Sequence, residues 1–253
     1  MKARFDATGD VIAITGGASG IGRALALAAA DAGARVVVCD VDRGALAALA
    51  EARPSIALRS LDVGDRGAVQ ATFAAIEAEI GAIDGLVCAA AIQPRTAVDV
   101  MDPEEWERVL AVNLNGVVWC YQAVIASMIA RRKGSIIAFS SGLAHQGWPK
   151  ASAYAASKAA LIAFVKSAAK EVAAHRVRVN IIAPGVIDTA QYRAANVGAD
   201  DEKWKATLGV GEPEDVVGPL MFLLSDAATM TASTLSRDFA FARSDEAEGS
   251  LRR

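Results

Sequence analysis

Val11-Ile12-Ala13-Ile14-Thr15-Gly16-Gly17-Ala18-Ser19-Gly20-Ile21-Gly22-Arg23-Ala24-Leu25 reads as a buried strand, a glycine-rich turn and the start of a helix. Glycines without side chains let backbone approach a pyrophosphate closely, and the free N–H groups and dipole of the helix start favour its negative charge. A glycine-rich turn also serves ordinary tight turns, so its place between strand and helix makes it a phosphate cradle. Gly16, Ser19, Gly20, Ile21 and Gly22 are its candidate contacts.

Outward from this turn, short apolar runs alternate with longer alanine- and leucine-rich stretches, the pattern of strands joined by crossover helices over a parallel sheet. Five more strands are predicted: Ala34 to Asp40, Ser55 to Leu61, Ile83 to Ala89, Gly134 to Ser140 and Arg176 to Ala183. Runs such as Val36-Val37-Val38 and Ile136-Ile137-Ala138 are apolar on both faces, as helices on both sides of the sheet require. Asp102-Pro103-Glu104-Glu105 carries the start signals of a helix, and Gly33 the stop signal of the first one. The prediction is an α/β, doubly wound Rossmann fold in a single domain over residues 1–243, with 244–253 a polar, frayed tail.

The chain has 253 residues, 53% hydrophobic and 22% charged, enough for one sizeable core. With 26 basic and 29 acidic residues and a formal charge of −3, there is no electrostatic footprint for nucleic acid or an anionic membrane. Cys39, Cys88 and Cys120 are too few and too far apart for a disulfide framework or a paired metal site, so no metal and a reduced, cytoplasmic setting are expected. No signal peptide or uninterrupted apolar span is read.

Asp40 ends the second strand eighteen positions after Gly22, where a dinucleotide fold sets a carboxylate against the adenosine ribose. That charge repels the extra phosphate of NADP, and Ser19 and Val41 stand where a compensating base would sit; Arg43 is the one base near enough in sequence to approach. NAD is the expected cofactor. Tyr154 and Lys158 stand at i and i+4 on one helix face, a spacing usual in solvated pairs, yet here an ammonium and a cationic nicotinamide would together lower the phenol's pKa. Ser140-Ser141 follows the fifth strand at the sheet's carboxyl edge, where ligands of such folds bind.

Assembled, these residues resemble the short-chain dehydrogenase/reductase (SDR) family from about Val11 to about Asp226. Its T-G-x-x-x-G-x-G is matched by Thr15, Gly16, Gly20 and Gly22, its Y-x-x-x-K by Tyr154 and Lys158, and its serine thirteen residues earlier by Ser141. Asn113 matches its active-site asparagine, Pro184-Gly185 its P-G motif, and Asp62-Val63 its cofactor-binding aspartate. The resemblance implies Tyr154 as general acid or base, Ser141 orienting the reacting oxygen, Lys158 binding the nicotinamide ribose, and Asn113 holding a water in a proton relay. Ala89 and Ala90 would border the cofactor, and Pro184, Gly185, Ile187 and Thr189 would lie against its nicotinamide end. The implied activity is hydride transfer between NAD(H) and a secondary alcohol or ketone. Residues from about 186 to 211 would form a substrate lid. Gln93, Ser141, His145, Trp148, Tyr192 and Trp204 are candidate pocket residues, and the apolar helices around Glu104 to Arg131 and Ala151 to Ala174 imply a homodimer or homotetramer.

The chain departs from the family at two places. Cys88-Ala89-Ala90-Ala91 replaces the usual N-A-A-G, and weaker cofactor binding or lower stability is expected where Ala91 brings a Cβ. Leu235-Ser236-Arg237-Asp238 stands where the last strand usually leads into D-G-G. These departures motivate a competing reading, a decayed nucleotide-binding scaffold or redox sensor. A dehalogenase would lack the glycines, and a sugar-nucleotide epimerase needs a larger C-terminal region.

Overall fold

The computed structural model describes residues 3–197 and 210–237. Seven parallel strands form one sheet among the described residues, in the order β3-β2-β1-β4-β5-β6-β7. They are β1 (Val11–Thr15), β2 (Arg35–Asp40), β3 (Ala57–Ser60), β4 (Gly85–Cys88), β5 (Gly134–Phe139), β6 (Val177–Ala183) and β7 (Thr234–Ser236). The helices are α1 (Gly20–Asp31), α2 (Arg43–Ala52), α3 (Arg66–Glu79), α4 (Pro103–Leu110), α5 (Gly116–Arg131), α6 (Leu143–Gln146), α7 (Ser152–Val172), α8 (Ala190–Ala195) and α9 (Glu214–Leu224). This is the doubly wound single domain expected. Strand order reverses between β1 and β4, which opens a crevice at their carboxyl ends.

Every residue of β1, β4 and β5 is buried, because helices cover both faces. One core places Phe73 of α3, Val124 of α5 and Leu161 of α7 against Ala13, Leu86 and Ile136. The other packs Leu25 of α1, Leu49 of α2 and Leu220 of α9 on Ile14, Val38 and Ile137. Asp42, Asp65 and Asp102 cap α2, α3 and α4 by accepting from Ala45, Ala68 and Glu104 N–H at 3.0 to 3.1 Å.

The sequence missed two features. β7 has three exposed residues and no apolar run to betray it, yet it pairs in parallel with β6 from Ile181↔Thr234 to Ala183↔Ser236. The last strand therefore forms without D-G-G. Between α4 and α5, Ala111–Asn115 is a π-helical turn, so the long predicted helix is two joined by a bulge. The run Pro103–Arg131 is long and apolar enough on average to cross a membrane, but it packs on α3 and the sheet as a core helix of this domain. The tail predicted from residue 244 lies outside the described residues.

Candidate active site

A cleft of about 230 Å³ opens at the carboxyl ends of β1, β4, β5 and β6. Gly16, Ser19, Gly20, Ile21 and Gly22 form one wall. Gly16 has φ +67°, and a Cβ there would sit 2.5 Å from the Ala90 amide nitrogen; one on Gly22 would sit 2.3 Å from the Gly16 carbonyl oxygen. The turn folds this tightly only with glycine. Ser19 caps α1 in extended conformation without a side-chain bond to the first turn, and that turn holds no acid. The positive end of α1 therefore faces the cleft with no anion of its own, and these residues fit a dinucleotide pyrophosphate.

Asp40 braces this turn. Its Oδ2 accepts from Ala18 N–H at 3.0 Å and its Oδ1 from Asp42 N–H at 3.1 Å. A carboxylate has about four acceptor positions, so hydroxyls can still be taken up. Asp62 accepts from Gly64 N–H at 2.9 Å and pairs with Arg108 of α4 at 2.8 Å. Asp40, Asp62, the buried Val63 and Ala90 do not line the cleft itself; Ala89, Ala91, Pro184, Gly185, Ile187 and Thr189 do. Ala91 is absent from the positive-φ residues, so its methyl is carried without the backbone strain its substitution for glycine suggested.

The opposite wall brings Ser141, Tyr154 and Lys158 together. Ser141 follows β5; its Oγ accepts from Leu143 N–H at 3.2 Å, and it lines the cleft together with Tyr154. One turn of α7 further, Lys158 Nζ lies 5.6 Å from the centroid of the Tyr154 ring, and the Ser140 hydroxyl donates to the Lys158 carbonyl at 3.1 Å. Lys158 is only 2% exposed, and burial pushes its ammonium down to about 8. At Tyr154, with no dinucleotide beside it, burial dominates. Burial raises its pKa, and the Ser141 hydroxyl and the Arg95 cation offset only part of that. In the protein alone the phenol stays protonated, because desolvation of a phenolate outweighs its neighbours.

Asn113 stands in the turn between α4 and α5. It is fully buried: Oδ1 accepts from Ile92 N–H at 2.8 Å, and Nδ2 donates to the Ile92 carbonyl at 2.9 Å and to Ser157 Oγ at 3.2 Å. Its side chain thus clamps the loop after β4. Of the pocket candidates, Gln93, Ser141, Trp148 and Tyr192 line the cleft. His145 is exposed in the single turn of α6 and is not on the cleft wall, because that turn directs it to solvent. Trp204 lies outside the described residues.

Arg95 was not foreseen. It lines the cleft from the loop after β4, with Nε donating to the Ala195 carbonyl at 3.2 Å and Nη2 to Asn196 Oδ1 at 3.3 Å. Its only trace in the sequence is a lone basic residue, Gln93-Pro94-Arg95, just past the fourth strand.

Residues 10–199 match the family model for short chain dehydrogenases. The chain belongs to the short-chain dehydrogenase family. This short-chain dehydrogenase is 34% identical over 242 residues to the 2-(S)-hydroxypropyl-CoM dehydrogenase 3 of Xanthobacter autotrophicus, covering 90% of this chain and 95% of that one. It is 37% identical over 227 residues to a 3-oxoacyl-(acyl-carrier-protein) reductase of Thermotoga maritima, covering 87% and 92%. A crystal structure of a gluconate 5-dehydrogenase from Burkholderia cenocepacia, in complex with NADP and tartrate, superposes with a TM-score of 0.85 at 34% identity, over 92% of this chain and 95% of that one. The short-chain dehydrogenase is thus an oxidoreductase with a nucleotide cofactor.

Proposed function

We propose that this short-chain dehydrogenase interconverts a secondary alcohol and a ketone using NAD(H), with Tyr154 as the general acid or base. The observation that carries the reading is the meeting of Ser141, Tyr154 and Lys158 on one wall of the cleft whose other wall is the glycine turn. The bound dinucleotide supplies or accepts the hydride. Ser141 and Tyr154, on the same wall of the cleft, are placed to hold the substrate oxygen, and Tyr154 takes or gives its proton. Lys158, close to the phenol ring, binds the nicotinamide ribose and favours phenolate when its ammonium is charged. Pro184, Gly185, Ile187 and Thr189 position the nicotinamide end.

Preference for NAD over NADP rests on Asp40, whose neighbour Val41 is 64% exposed and offers no charge to a 2′-phosphate. Solved relatives hold NADP, so this preference belongs to the residues of this chain. The three cysteines are free and buried, in keeping with a reducing cytoplasm, and exposed Val98, Val100 and Trp106 ahead of and on α4 suit pairing into a homodimer or homotetramer.

Titrating the protein with NADH and NADPH in parallel, by quenching of tryptophan fluorescence, tests the cofactor; the reading expects NADH to bind at least tenfold tighter, about 1.4 kcal/mol. Tyr154→Phe should lower turnover of a secondary alcohol or ketone by about a hundred- to ten-thousand-fold while NADH still binds. Turnover surviving in that variant overturns the mechanism. Absence of binding to either dinucleotide returns the decayed scaffold to the lead.

A further inference from the structure

Arg95 has a third donor group that the protein does not use. Nη1 is buried and has no hydrogen-bond partner, while Nε and Nη2 are spent on Ala195 and Asn196 at the end of α8. A guanidinium cannot shed its charge to escape burial, so an unfilled donor in such a place is costly and calls for an acceptor. Glu105 of the neighbouring α4 does not supply it: that carboxylate accepts from Thr96 Oγ1 at 2.9 Å, its other oxygen also lacks a partner, and no ion pair joins it to Arg95. Among the described residues, Arg237 is the other arginine with a buried, unpartnered Nη1, but its guanidinium meets the Asp215 carboxylate at 3.3 Å and lies off the cleft.

The wall around Arg95 selects the kind of acceptor. Among the described residues the cleft is lined by two basic side chains, Arg95 and Lys158, and by no aspartate or glutamate. Lys158 is packed beside Tyr154 at the reacting end. Arg95 comes from the loop after β4, ties itself to the end of α8 and lines the same cleft as Tyr154, whose phenol feels its charge, whereas Asp40 lies off the cleft. A cofactor 2′-phosphate would sit near Asp40 and cannot be its ligand. Gln93, Trp148 and Tyr192 add amide and aromatic groups to the same lining.

We propose that Arg95 binds a carboxylate on the substrate, so that the alcohol or ketone handled at Tyr154 is that of a hydroxy or oxo acid. The fork of the guanidinium suits a planar carboxylate, and in a partly dry cleft such a charge-assisted bond is strong and directional. The bonds to the end of α8 give Arg95 a second effect, because they fix the orientation of its fork on the cleft wall.

This assignment rests on the reading of the cleft as a dehydrogenase site, and the experiment separates the two. NADH binding is measured first. With NADH saturating, so that the glycine turn is filled, the protein is titrated with acetate, butyrate and cyclohexanecarboxylate and with the matching neutral amides. Arg95 as a carboxylate receptor predicts at least one acid binding ten or more times tighter than its amide. Arg95→Gln should bring that ratio close to one, and Arg95→Lys should restore part of it. A merely structural arginine would weaken acid and amide alike and leave the ratio where it was, which overturns the assignment, as does an equal affinity for acids and amides in the unmodified protein. A chain that binds no NADH overturns the dehydrogenase reading, and the substrate assignment falls with it.

Discussion

Asn113 grips Ile92 by both of its peptide groups, accepting from the N–H at 2.8 Å and donating to the carbonyl at 2.9 Å. The clamp sits in the π-turn between α4 and α5 and fixes the loop that carries Ala91, Gln93 and Arg95 to the cleft. Asn113→Ala would leave the Ile92 groups unpaired in a dry site, at a cost of about 2–4 kcal/mol. For a chain of this size the melting temperature should fall by roughly 5–12 °C. A change of under two degrees by calorimetry would show that the loop is held by something else.

Gly16→Ala sets a Cβ against the Ala90 backbone at 2.5 Å in a residue at φ +67°. The expected outcome is loss of NADH affinity by tenfold or more together with lowered stability. Gly218→Ala is the internal comparison, since it lies within α9 with nothing within 4 Å of its new methyl. It should raise stability by about 0.5–1 kcal/mol and leave NADH binding alone. If the two variants behaved alike in the titration, close backbone approach would not be what the glycine turn requires.

Lys158 ties stability to pH. Its folded pKa of about 8 lies below the ordinary 10.5, so between those values the unfolded chain holds a proton that the folded chain has lost. This group therefore adds stability as pH rises through that window; below pH 8 its buried charge costs on the order of 3 kcal/mol. Lys158→Met should be more stable than the unmodified protein at pH 7, with the advantage shrinking toward pH 10. Urea titrations of both at several pH values read the difference, and a difference that does not vary with pH would remove the burial account.

Asp40→Asn keeps an oxygen to accept from Ala18 N–H and removes the charge. The ratio of NADPH to NADH affinity should rise by at least tenfold, about 1.4 kcal/mol. An unchanged ratio would place the discrimination elsewhere, with Arg43 the next residue to vary.

The doubly wound sheet was legible because its strands are apolar on both faces, a pattern few other architectures demand. β7 was not, because Thr234, Leu235 and Ser236 are exposed and owe their pairing to β6 rather than to their own burial. Tyr154 and Lys158 were found by spacing, which says nothing of how far each is buried. Spacing reports which groups meet, whereas the sign of a pKa shift depends on how much water they lose, which only the packed cleft reveals. Asn113 is a similar case: its position was evident, and its partners, twenty-one and forty-four residues away, were not. Arg95 escaped because an arginine in a loop is ordinary until its neighbours leave one of its donors without a partner.

The backbone bridge between Ile187 and Gly211 brings the chain back to the point from which it left. Asp188 N–H donates to the Gly211 carbonyl at 2.8 Å and Gly211 N–H to the Val186 carbonyl at 2.9 Å, so the two ends of the intervening stretch are stapled side by side. A loop closed at its neck can change length at little thermodynamic expense, roughly 0.6 kcal/mol for each doubling. The neck is in effect a splice point: a segment of another length set between Thr189 and Gly211 would leave the strand ends and the glycine turn where they stand.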